Sequence, residues 1–224
     1  MCFEFLRTAL RKKDIDLNQV IYDCIRTLNQ NTNKIGYDVL DEFINGLICT
    51  DDPPEARLSL KEGMVQYQKT PARIILELVS IVQNRQIKKF VDLGSGLGQP
   101  VILFTLLTGT RCFAIEYEPT YREYAKRCAS QLGIDTVTFI NVDARNLDYP
   151  DNAVFYIYTS LEGILLEEIL KKIERKSLHM PISLFTYAPC SSVIAKKSWL
   201  HCSNGNPIDP HSLCEFTSLP PLYL

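Results

Sequence analysis

Three acidic side chains stand at the ends of three apolar runs. Asp92 closes the run from Ile87, Glu116 follows Cys112–Ile115, and Asp143 follows Val137–Val142. A carboxylate at such a position can accept both hydroxyls of a ribose, or the amino group of a purine. Three of them around one pocket repel phosphate and suit a cation. Between the first two acids runs Val91-Asp92-Leu93-Gly94-Ser95-Gly96-Leu97-Gly98-Gln99-Pro100. An apolar run that ends in alternating glycines before a new apolar run reads as a buried strand turning tightly into a helix. The glycines let bare backbone approach a ligand. The helix start offers free N–H groups and the positive end of its dipole. Pro100 fits the first helical turn, where a missing N–H costs nothing.

The spacing is G-x-G-x-G (Gly94, Gly96, Gly98), with Gln99 where a dinucleotide fingerprint has its third glycine. This disfavours the runner-up, a Rossmann-like dehydrogenase. A cationic nucleoside with an ammonium group and no phosphate fits the acids better, and S-adenosylmethionine is such a molecule.

These residues carry a resemblance. The Asp92–Gln99 segment resembles motif I of the class I, seven-strand S-adenosylmethionine-dependent methyltransferases. Glu116 and Asp143 then take the places of that family's ribose and adenine acids. The resemblance covers roughly residues 66–187. A further segment, Tyr67-Gln68-Lys69-Thr70, narrows it. Tyr-x-x-Thr followed by D-L-G-S-G-x-G-Q looks like the disruptor-of-telomeric-silencing histone lysine methyltransferases and their bacterial and mitochondrial relatives. The resemblance implies that Tyr67, Thr70, Asp92, Gly94, Gly96, Gly98, Gln99, Glu116 and Asp143 bind the cofactor.

The chain departs from that family at the end of the fourth strand. Val154-Phe155-Tyr156-Ile157-Tyr158-Thr159-Ser160 carries Tyr158 and Thr159 where the histone enzymes have an Asn pair. Tyr158 and Thr159 are therefore the expected acceptor residues, and tyrosine hydroxyls and faces suit an amine or its cation. Simple packing of Tyr156 and Tyr158 under a helix is the other reading. The expected acceptor is a protein lysine. A small molecule or RNA is the alternative, as is a non-catalytic relative that only binds cofactor.

The elements that must position these residues alternate from residue 70 on. Thr70-Pro71 reads as N-cap and first residue of a helix through Val82. There follow strand 87–93, helix 98–108, strand 112–116, helix 119–132, strand 137–142, strand 153–159, helix 163–176 and strand 181–187. The pattern implies an α/β fold, a doubly wound and mostly parallel seven-stranded sheet with ligands beyond the carboxyl ends of the strands. Leu213–Leu219 is expected as a last, antiparallel edge strand, and 198–210 has no period. Before residue 65, Val20, Ile21, Cys24, Ile25 and Leu28, and then Val39, Leu40, Phe43, Ile44 and Leu47, recur at helical spacing. The expected division is a helical extension, 1–65, and a cofactor-binding domain, 66–224.

The 224 residues are 46% hydrophobic, enough for one substantial core, and carry a net charge of −2. No global field attracts nucleic acid. The eight cysteines form no CxxC pair, and the start is too short and acidic for a signal peptide. Among Cys190, His201, Cys202, His211 and Cys214, His211 and Cys214 have the spacing of a metal-ligand pair, but no second pair fits it. A cytoplasmic protein without a metal site or membrane span is expected, with its oligomeric state open.

Overall fold

The computed structural model describes residues 3–16, 19–20, 23, 37–49, 52–187 and 189–219. The helical pattern expected over Val20–Leu28 lies almost wholly outside them.

The elements are α1 (Phe3–Lys12), α2 (Val39–Ile48), α3 (Ala72–Val82), β1 (Lys89–Leu93), α4 (Gln99–Thr108), β2 (Arg111–Glu116), α5 (Pro119–Gln131), β3 (Val137–Asn141), β4 (Ala153–Tyr158), α6 (Gly163–Ser177), β5 (Ser183–Tyr187), α7 (Cys190–Ile194), β6 (Leu200–Asn204) and β7 (Cys214–Ser218). They build one seven-stranded sheet in the order β3-β2-β1-β4-β5-β7-β6. β1 pairs in parallel with β2 on one side and β4 on the other, so the order reverses at β1. A crevice opens at such a reversal, beyond the carboxyl ends of the strands.

The sheet is mixed. β7 runs antiparallel to both β5 and β6. The antiparallel strand expected near 213–219 is therefore present, but it lies inside the sheet. β6 forms the edge, from a stretch without hydrophobic alternation: along Leu200–Asn204 only Leu200 is buried. Its place is fixed by pairing with β7 rather than by its own pattern.

Period two sorts the core. Phe90 and Tyr156 face one side with Phe185, against α2, α3 and α4. Val91, Leu93, Phe155, Ile157 and Leu184 face the other, against α6 and α7. The Phe90 and Phe104 rings stack with centroids 4.1 Å apart. α4 is apolar all round because α3 covers its outer side.

α2 is built into this core: Leu40, Phe43, Ile44, Leu47 and Ile48 are buried in it. Asp38 and Asp41 form a capping box at its start. Arg7 of α1 holds its last carbonyls, with Nε donating to Leu47 O at 3.0 Å. Asp41 also corrects the expected cap of α3. Thr70 makes no capping bond and Pro71 is the N-cap residue. The amide of Ala72 donates instead to Asp41 Oδ1 at 2.7 Å. A carboxylate 31 residues away thus replaces the local hydroxyl, so the extension and the sheet domain share a helix cap.

Candidate cofactor and acceptor site

Beyond the carboxyl ends of β1–β4 lies a cavity of about 470 Å³ with a mostly apolar lining. Tyr67, Thr70, Asp92, Gly94, Gly96, Glu116, Asp143, Tyr158 and Thr159 all line it. Gly98 and Gln99 do not. A Cβ on Gly98 would stand 2.6 Å from Ala125 Cβ, so this glycine lets α4 pack on α5. Gln99 is buried, and neither amide atom of its side chain finds a hydrogen-bond partner among the described residues.

Gly96 carries the close approach expected of the loop. Its φ is +53°, and a Cβ there would collide with the Tyr67 ring. Tyr67 therefore lies flat on bare backbone and walls the cavity, its hydroxyl pushed up by burial. Its ring also meets Tyr121 at 5.5 Å between centroids.

The three acids differ. Asp92 is 2% exposed, and its Oδ2 has no partner among the described residues. Burial, and then the charge of Glu116, hold its carboxyl well above the usual range. Such a group suits a cation brought by a ligand. Glu116 accepts from Gly96 N at 2.7 Å through Oε2 and from Glu118 N at 2.8 Å through Oε1. Each oxygen keeps a lone pair for a ribose hydroxyl. Burial raises its pKa against these bonds.

Asp143 is saturated. Oδ1 accepts from Arg145 N and Nε at 3.1 and 3.0 Å, and Oδ2 from Arg145 Nη2 and Lys61 Nζ at 2.8 and 3.2 Å. A carboxylate offers about four such positions. The Arg145 guanidinium holds its pKa well below the usual range, with Lys61 adding to the effect. Lys61 also sits 4.4 Å from the centre of the Tyr117 ring, next in sequence to Glu116.

Lys61 belongs to a strap, residues 53–66, that has no regular structure and crosses the strand ends. Arg57 N and Leu58 N donate to Glu118 Oε2 at 3.0 and 2.7 Å. Lys61 ties the strap to Asp143, and Val65 N donates to Ser160 O at 3.3 Å. Leu58, Leu60, Met64 and Val65 thereby become cavity wall. Sequence reasoning missed the strap, because its ties are backbone amides and long-range ion pairs with no period.

At the other end of the cavity, Tyr158 and Tyr187 are register partners on β4 and β5 and stack with centroids 5.3 Å apart. Tyr37 brings its hydroxyl beside Tyr158 and donates to the carbonyl of Lys69. Arg73 Nη2 donates to Tyr187 Oη at 3.1 Å. Thr159 has φ +39°, a strained value for a β-branched residue. Tyr156, two residues back, is core. Packing under a helix therefore describes Tyr156, while Tyr158 stands half-buried on the rim.

Comparisons agree with this architecture. Residues 91–175 match the profile of a family described as a methyltransferase domain. A mutant of MtNAS in complex with S-adenosylmethionine is 18% identical with a TM-score of 0.50, over 66% of this chain and 63% of that one. An RNA methyltransferase from Salinibacter ruber, in complex with S-adenosyl-L-homocysteine, is 19% identical with a TM-score of 0.53, over 70% and 96%. A precorrin-6y C5,15-methyltransferase from Geobacter metallireducens is 18% identical with a TM-score of 0.50, over 70% and 93%. No curated protein matches the chain.

The strand order and the methyltransferase-domain match over residues 91–175 agree with the fold of class I methyltransferases. The residues present fit S-adenosylmethionine: an unpartnered buried carboxylate for an ammonium, a half-used one for a diol, and an apolar cavity for the remainder. Among the described residues no helix is long and apolar enough to cross a membrane.

Proposed function

We propose that the protein transfers a methyl group to a nitrogen or oxygen of a small organic acceptor, admitted between Tyr37, Tyr158 and Tyr187. The make-up of that mouth carries the reading. It is aromatic. Asp41 serves the amides of Ala72 and Asp38, and Asp92 is buried at the end of β1. An RNA acceptor would draw on a stripe of free cations, whereas Lys61 and Arg145 are tied to Asp143 and Arg73 stands alone beside Tyr187. Likenesses of 18–19% identity speak for the fold and leave the acceptor to the chemistry of the mouth.

A protein lysine is the second reading. Tyrosine faces and hydroxyls suit an amine, and Tyr67-x-x-Thr70 with the glycine loop resembles the disruptor-of-telomeric-silencing lysine methyltransferases. Asp41, the acid whose charge reaches Tyr37, is already taken by the amides of Ala72 and Asp38 and so is not open to a lysine ammonium.

When bound, S-adenosylmethionine supplies a methyl group already activated on a sulfonium. The protein's task is then chiefly proximity and alignment. Asp92 would hold the ammonium, Thr70 the carboxylate, Glu116 the ribose and Asp143 the adenine once Lys61 yields a position. Tyr158 and Thr159 would orient the acceptor. The cover over the cofactor is the strap, which joins the helical extension of 1–65 to the cofactor domain of 66–224.

The test is transfer from methyl-tritiated cofactor into a cell extract separated into small-molecule, protein and RNA fractions. Label in small molecules is expected. Label that only protease releases supports lysine, and label that only ribonuclease releases supports RNA. Tyr158→Phe should lower turnover about tenfold with cofactor affinity unchanged.

A further inference from the structure

We propose that Arg73 selects an acceptor bearing a carboxylate or phosphate, held beside Tyr158 while another atom of the same molecule takes the methyl group. This rests on the small-acceptor reading above.

Arg73 is the second residue of α3, three positions beyond Thr70 of the cavity wall. Of its five N–H donors, one is used, by Tyr187 Oη. Its Nε is enclosed and has no acceptor, and no carboxylate lies within ion-pair distance among the described residues. Glu77, one turn along α3 and exposed, feels its charge without pairing. The guanidinium carbon lies 5.8 Å from the Tyr187 ring centre, and that ring stacks on Tyr158. The charge also reaches the Tyr158 hydroxyl, whose ionisation it favours against the larger opposing effect of burial.

Other arginines show the contrast. Arg145 grips Asp143, Arg85 is paired with Glu215, and Arg7 caps α2. Of these four, Arg73 is the one half-buried beside Tyr187, one ring from Tyr158 of the cavity wall, with most of its donors unused. A guanidinium sheltered from water without a counter-charge is costly, and its planar fork matches a carboxylate or phosphate with two parallel bonds. An acid group docked there would lay the rest of the acceptor across Tyr158 toward the cofactor end of the cavity. The same cation would disfavour a lysine ammonium.

The experiment incubates the full chain with trideuteromethyl-labelled cofactor and a small-molecule extract, and follows labelled products by mass spectrometry. Products that lose carbon dioxide or a phosphate on fragmentation are expected, and the two losses distinguish the two acids. Arg73→Met should cut their formation at least tenfold, more so as the extract is diluted, with cofactor affinity and melting temperature unchanged. Arg73→Lys should restore part of it. Labelled products without an acid group, or a wild-type rate in Arg73→Met, would overturn the inference and leave the small-acceptor reading standing. Label found only in protein or RNA would overturn both.

Discussion

Glu116 holds the loop and faces the cavity with one carboxylate. It fixes Gly96 and Glu118 through their amides while keeping acceptor capacity toward the pocket. Glu116→Ala should weaken cofactor binding by about 1–3 kcal/mol, the scale of losing hydrogen bonds to a charged group, measured by calorimetry on the folded variant. The two buried acids also predict a proton linkage. Burial raises the pKa of both Asp92 and Glu116. Their contribution to stability is therefore fully present below the unfolded carboxylate range of about 4 and is lost as pH rises through the folded values. A cationic ligand favours the ionised forms. Cofactor binding should thus release protons and tighten with rising pH through that window. Calorimetry in buffers of different ionisation enthalpy reads this directly, and proton uptake would contradict it. These acids were legible because each ends an apolar run, where a ligand can reach it. The saturation of Asp143 was not, since Lys61 lies 82 residues away in a segment without pattern.

At the level of elements, the strap turns a set of strand ends into an enclosed cavity, and Glu118 is its best-defined tie. One oxygen caps α5 through Thr120 N at 3.0 Å, and the other receives Arg57 N and Leu58 N. Burial alone would raise this carboxyl, but the bonds from Thr120 and the strap outweigh it and the net shift is downward. Glu118→Ala removes an N-cap and the strap tie together. It should cost about 1–2 kcal/mol of stability and speed cofactor dissociation, read by thermal unfolding and stopped-flow fluorescence. Helix and strand positions from residue 70 on were readable from apolar spacing. The cap of α3 misled because Thr-Pro is a good local signal, while the bond that forms is tertiary. β6 escaped notice because an edge strand with one buried residue needs no alternation. Arg73, Tyr37 and Tyr187 gather around Tyr158 through tertiary packing, and nothing in their local spacing marked them.

For the whole molecule, α2 and one face of the sheet are built on a single core. α2 shares the core with α3 and α4, and Asp41 caps α3 from α2. Alternation of apolar runs and helical patterns sufficed to predict a doubly wound sheet, because strands buried on both faces leave few other solutions. The placement of β7 between β5 and β6 depends on long-range pairing and was not readable. A cofactor bound at the strand ends stabilises the fold, since ligand bound only to the native state adds free energy by mass action. At a concentration about 100 times its dissociation constant the gain is ~2.7 kcal/mol. For a chain of this size, each kcal/mol raises the melting temperature by roughly 2–4 °C. S-adenosylmethionine and S-adenosylhomocysteine at that concentration should therefore each raise it by about 5–11 °C. NAD should give no shift, because its pyrophosphate would meet the buried carboxyl groups of Asp92 and Glu116 in the cavity. A shift with NAD and none with S-adenosylmethionine would mean that the acids had been matched to the wrong nucleoside.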